Sequence, residues 1–195
     1  MRSFSLQALA FFSASASLAS AGSVEIKNYC EHSIYIRQSD PTKMGGCDMG
    51  PDTSKCYSDA YEVKPNELVP LDMTISGQGV AIKISKTPSL EKITQFEYCA
   101  SDNMYWDVSD LDGQGSNRVG SPFYHDNIKA YPLGNRDGFS DCKDVNCKKD
   151  QVCEDAYQYP DQKATLTCPL DMQSFRFDFC TSDGDVSKRS VVFMA

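Results

Sequence analysis

Apolar and polar side chains alternate with a period of two through most of the chain, and no stretch keeps a helical period. Ser23-Val-Glu-Ile-Lys-Asn-Tyr29 predicts an opening strand, and Ser33-Ile-Tyr-Ile-Arg37 predicts a second, with Asn28 to His32 as a short hairpin-like connection. Glu67 to Ile75 is extended, and Pro70 points to a sheet edge or a bulge because it cannot donate to a ladder. Gly79 to Ser85, Ile93 to Cys99 and Met104 to Ser109 predict three further strands, the last followed by an Asp-Leu-Asp-Gly turn. Leu166 to Cys168 and Ser174 to Cys180 close the series. In the last of these Phe175, Phe177 and Phe179 fall on one face, which predicts a core-facing surface.

Many short strands separated by turn signals predict an all-β sandwich or barrel. Residues 120–163 break the rhythm, being richer in Pro, Gly, Asp and Cys, and predict a disulfide-tied loop subregion with a helical turn near Gln151 to Tyr157. Residues 181–195 follow the last cysteine and are expected to form a loosely held tail. Residues 1–21 have one early charge, Arg2, an apolar stretch from Leu6 to Leu18, and Ala19-Ser20-Ala21. That pattern predicts a cleaved signal peptide and a secreted, extracellular protein whose domain covers residues 22–180. No later segment is apolar for the ~18 residues a membrane span needs.

Composition narrows the function. The formal net charge is −8, which argues against nucleic acid and anionic membranes as partners, since both are held by clustered Lys and Arg. No Asn-x-Ser/Thr acceptor is present. Nine cysteines, at 30, 47, 56, 99, 142, 147, 153, 168 and 180, read as a disulfide framework with one thiol left over, and spacing alone leaves the pairing open. Without a Cys-x2-Cys pair, and with His32 and His125 far apart, no metal site is expected. Nor is there a Gly-x-Ser-x-Gly elbow or a phosphate loop, so no cofactor is expected either. A monomer is expected.

Four blocks resemble thaumatin-like proteins, in the family's order. They are Val24 to Cys30 with the strand after it, Gly77-Gln-Gly-Val-Ala-Ile-Lys83, Gln95-Phe-Glu-Tyr98 with Tyr105-Trp-Asp-Val-Ser-Asp-Leu-Asp-Gly113, and Cys153 to Cys180. The reduced second region resembles the small antigens and candidate effectors that fungi secrete. The resemblance implies a thaumatin-like β-sandwich and the pairs Cys30–Cys180, Cys47–Cys56, Cys142–Cys168 and Cys147–Cys153, with Cys99 as a free, buried thiol. It also implies an acidic cleft at Glu97, Asp107, Asp112 and Asp161. The family's cleft arginine has no evident counterpart, only Lys83, Lys86 and Lys92 lying near its place.

Two carboxyls on neighbouring strands suit glycoside hydrolysis, in which one protonates the leaving oxygen and the other acts as base or nucleophile. Here Glu97 is the expected acid and Asp107 the base. Tyr105, Trp106, Phe123, Tyr124, Tyr157 and Tyr159 are candidate sugar-stacking rings. Three functions stay open: binding of β-glucan or another wall polysaccharide, binding of a host surface protein, and weak endo-β-1,3-glucanase activity.

Overall fold

The structure, a computed structural model, describes residues 22–39, 60–112, 121–171 and 174–186. Eleven strands occur among them: β1 (Ser23–Asn28), β2 (Ile34–Ser39), β3 (Tyr61–Val63), β4 (Leu68–Asp72), β5 (Gly79–Ser85), β6 (Thr94–Ala100), β7 (Met104–Ser109), β8 (Ile128–Leu133), β9 (Val145–Cys147), β10 (Leu166–Cys168) and β11 (Ser174–Phe179). One helical turn, α1 (Asp183–Val186), follows. The strands form two sheets, in the orders β4-β1-β11-β8-β9 and β10-β7-β6-β5-β2-β3.

The alternation in the sequence becomes the inner faces of this sandwich. Phe175, Phe177 and Phe179 of β11 are fully buried. Phe175 meets Phe96 and Trp106 of the opposite sheet at centroid distances of 5.0 and 4.8 Å. Such aromatic pairs add about 0.5–1.5 kcal/mol each beyond the area they bury. The ladder β5-β6-β7 carries the same pattern, with Val80, Ile82, Ile84, Phe96, Tyr98, Met104, Trp106 and Val108 turned inward.

Four expectations are corrected. The link between the first two strands is not a hairpin: β1 pairs with β4 and β11, whereas β2 pairs with β3 and β5 in the other sheet. Buried Asn28 makes the corner. Its amide donates to the carbonyls of His32 and Val63, both at 2.9 Å, and its Oδ1 accepts from the Cys30 N–H at 2.8 Å. Residues 120–163 are more than loops, because β8 and β9 complete the five-stranded sheet. No helix forms near Gln151 to Tyr157, where the backbone makes turns. The start of the tail is anchored: the Asn127 amide donates to the Thr181 carbonyl and to Asp183, and Lys149 pairs with Asp183 at 3.2 Å.

Pro70 sits on β4, an edge strand, as its missing donor requires. Pro132 lies in β8 beyond the three residues that pair with β9, so the ladder loses nothing to it there.

Among the described residues, three disulfides staple the sandwich. Cys30–Cys180 ties the β1 corner to the end of β11, Cys142–Cys168 ties the β8–β9 connection to β10, and Cys147–Cys153 closes a short loop after β9. The first spans 150 residues, and a chain-entropy estimate makes it worth about 5 kcal/mol. The expected Cys47–Cys56 bridge lies outside the described residues. Cys99 is a free thiol, but half-buried rather than buried.

Candidate binding face on the six-stranded sheet

Every second residue of β5, β6 and β7 points away from the core, and in-register pairing lines these residues up in rows. Glu97 of β6 is the direct partner of Asp107 on β7 and of Ala81 on β5. The next row runs Ser109, Gln95, Lys83 and Arg37. On the other side lie Thr167, Tyr105, Cys99 and Gly79. The tight Ser101–Asn103 turn fixes this register, with the Ser101 N–H donating to the Asn103 carbonyl at 3.1 Å. Residues directly opposite in an antiparallel pair hold their Cβ atoms about 4.5–5.5 Å apart. Two acids therefore face each other across one rung.

That placement shifts both. Burial raises the Asp107 carboxyl, the Glu97 charge raises it further, and it reaches about 7. Its Oδ1 is out of water and has no hydrogen-bond partner. Glu97 is also raised by burial; a hydrogen bond from Ser109 lowers it, Asp112 raises it and Lys83 lowers it. Burial and their like charges both oppose ionising the two carboxyls together. Asp112 stands at the rim, exposed, in an ion pair with Lys83 at 3.6 Å.

The disulfide-bonded loop after β9 docks on the edge of this face. Tyr157 accepts from the Asp110 N–H at 2.9 Å and donates its own N–H to Val108 at 2.8 Å, so the loop adds a bridge to β7 at Ser109. The Tyr157 hydroxyl lies 2.8 Å from that of Thr165.

The structure brings together Glu97, Asp107 and Asp112, with Tyr105 one row away. Asp161 is exposed in the turn after Tyr159 and is not among the groups that shift the acid pair. Trp106 is corrected. It is only 1% exposed and stacks on Phe96 in the core, because it shares the inward face of β7 with Met104 and Val108. Phe123 is also core, whereas Tyr159 is exposed. Sequence reading missed Arg37, which the register sets opposite Lys83 and whose Nε lacks a hydrogen-bond partner. It also missed Ser109. Neither stands out without the pairing of β2 with β5 and of β6 with β7. Among the described residues, no group of three or more His, Cys, Asp or Glu side chains could hold a metal ion.

Comparison with known families places this geometry. The family described as "Bys1: Blastomyces yeast-phase-specific protein" matches residues 11–181. The chain belongs to the Bys1 family. Two curated relatives of this Bys1 chain are thaumatin-like proteins of fungi. The antigenic thaumatin-like protein of Arthroderma benhamiae is 28% identical over 154 residues, which is 76% of this chain and 66% of that protein. The secreted thaumatin-like protein calA of Emericella nidulans is 28% identical over 114 residues, 57% of this chain and 56% of that protein. The matched stretch thus covers less than two thirds of either relative. The crystal structure of the protein elicitor MoHrip2 from Magnaporthe oryzae superposes with a TM-score of 0.61 and 21% identity, over 83% of this chain and 100% of that one. The Bys1 chain therefore has a thaumatin-like fold, with two sheets and almost no helix among the described residues.

Proposed function

We propose that this Bys1-family chain works outside the cell, at a cell wall or host surface, and binds β-glucan or a related polysaccharide on the outer face of the six-stranded sheet. One observation carries the reading: Glu97 and Asp107 face each other across a rung, with the buried Asp107 Oδ1 left without a partner. A protonated carboxyl beside an ionised one offers a donor and acceptors side by side, which suits the paired hydroxyls of a sugar. Lys83 and Asp112 add a further donor and acceptor at the rim of the same patch. The disulfides and the secreted relative support the extracellular setting.

Hydrolysis is a second reading, favoured by the Asp107 carboxyl at about 7. A general acid needs a proton at the working pH. In that reading Asp107 is the acid and Glu97 the base or nucleophile, the reverse of the assignment the sequence suggested.

Sedimentation of the purified protein with insoluble β-1,3-glucan, chitin and cellulose, with reducing sugar measured in the same tubes, tests both readings. Retention on glucan is expected, and Glu97→Gln with Asp107→Asn should abolish it. Released sugar that disappears in either single variant makes the protein a hydrolase. Retention on none of the polymers sinks both carbohydrate readings and leaves a host protein as partner.

A further inference from the structure

A groove of about 450 Å³ opens at the far end of β5, between the β5–β6 connection and residues 121–125. Its size falls within the ~300–1,000 Å³ common for small-molecule sites. We infer that this groove is a second sugar subsite, which takes neutral residues of the polysaccharide chain whose other part lies on the Glu97–Asp107 face. The inference rests on the binding reading above.

The lining argues for a neutral, hydroxyl-rich occupant. Thr87 and Ser121 contribute hydroxyls, and Pro122 and the Tyr124 ring contribute apolar surface. The charges in the groove are matched. Lys86 is held by Asp126 and lies over the Phe123 ring at 5.4 Å. His125 pairs with Asp150 at 2.6 Å. Glu91 and Lys92, adjacent in the chain and both exposed, carry opposite signs. A small anion or cation gains little net field from such a set. A sugar finds donors and acceptors within reach and an aromatic surface to pack on.

Position links the groove to the acid pair. Ala81 is the direct partner of Glu97, and Ala81, Lys83 and Ser85 are successive outward positions on β5. Four residues of strand separate Ala81 from Ser85, or about 13 Å. The Lys83–Asp112 ion pair stands between them. A single sugar cannot reach both places, whereas a polymer laid along β5 can.

The test is calorimetric titration of the purified chain with β-1,3-linked glucose disaccharide, which is shorter than this gap, and hexasaccharide. The wild type should bind the hexasaccharide roughly tenfold more tightly than the disaccharide. Thr87→Ala with Lys92→Ala changes two exposed side chains and should remove that length preference while leaving disaccharide affinity unchanged. Tyr124→Leu should do the same. Glu97→Gln with Asp107→Asn should weaken both ligands. If the wild type shows no length preference, or the groove variants keep it, the second subsite is overturned and the acidic face stands. If the wild type binds neither oligosaccharide, the binding reading and this inference fall together.

Discussion

Both sheets turn a charged face outward, and the two faces are built on opposite rules. On the five-stranded sheet charges alternate in register. Glu25 is partnered by Arg176, and Lys27 by Asp178, which is in turn partnered by Lys129. The Arg176 Nε–H donates to Glu25 at 2.8 Å, the Tyr131 hydroxyl donates to Asp178 at 3.1 Å, and Lys129 and Arg136 both pair with Asp144. On the six-stranded sheet two acids oppose one another and two bases, Lys83 and Arg37, do the same. Burial raises both Asp178 and Asp107. Arg176, Tyr131, Lys129 and Lys27 pull Asp178 back down, whereas both influences on Asp107 push it up. The matched face is an adhesive between strands. The mismatched one costs stability wherever both acids are ionised.

The sharpest way to break the comparison is to delete one acid from each face. Asp144 is buried with two cations, its side chain and that of Lys129 being 4% and 7% exposed. Asp144→Ala should destabilise by about 3 kcal/mol or more, because it strands a buried lysine. Chemical denaturation at neutral pH reads this directly. Asp107→Asn should do the opposite, stabilising the fold by about 1–3 kcal/mol at pH 8. The sign follows from linkage. The folded carboxyl keeps its proton to about 7, while the unfolded one loses it near the usual value of about 4. Wild-type stability from this group is therefore full below about pH 4, declines up to about pH 7 and is flat beyond. At pH 4 the variant and wild type should have the same denaturation midpoint, and a stabilisation that persists there would contradict the mechanism.

A smaller effect sharpens the cause. Glu97→Gln removes one of the two influences on Asp107 but not the larger, burial. The Asp107 titration followed by carbon-detected NMR should move down and still end above the ordinary carboxylate range. The smallest effect belongs to the rim. Asp112→Asn breaks an exposed pair with Lys83 and should change stability by less than about 1 kcal/mol.

Much of this was legible in the sequence, and the gaps have physical causes. Alternation located β1, β2, β5, β6, β7 and β11, and the short turn after Ala100 was enough to expect Glu97 beside Asp107. Alternation says which face a residue takes, but not which sheet its strand joins, so the corner at Asn28 was read as a hairpin. β8 was missed because Lys129, Tyr131 and Pro132 blur its pattern, and β9 is only three residues long. The core position of Trp106 is legible in the alternation itself, because Met104, Trp106 and Val108 share one face of β7. Arg37 could not have been found, because its place beside Lys83 depends on two strands that lie far apart in sequence.

The first described strand lies parallel to the last, β1 against β11, and Cys30 closes on Cys180. During synthesis β1 can pair with β4 early, but its other side waits for β11. Loop closure is cheaper over short spans, so Cys147 and Cys153, 6 residues apart, are expected to join first, then Cys142 and Cys168 across 26. Cys30 and Cys180 come last, and until then Cys30 is open to wrong partners. Assembly of this small sandwich is thus paced by its longest-range contact, a sequence of events that alkylation quenching of refolding chains reads directly.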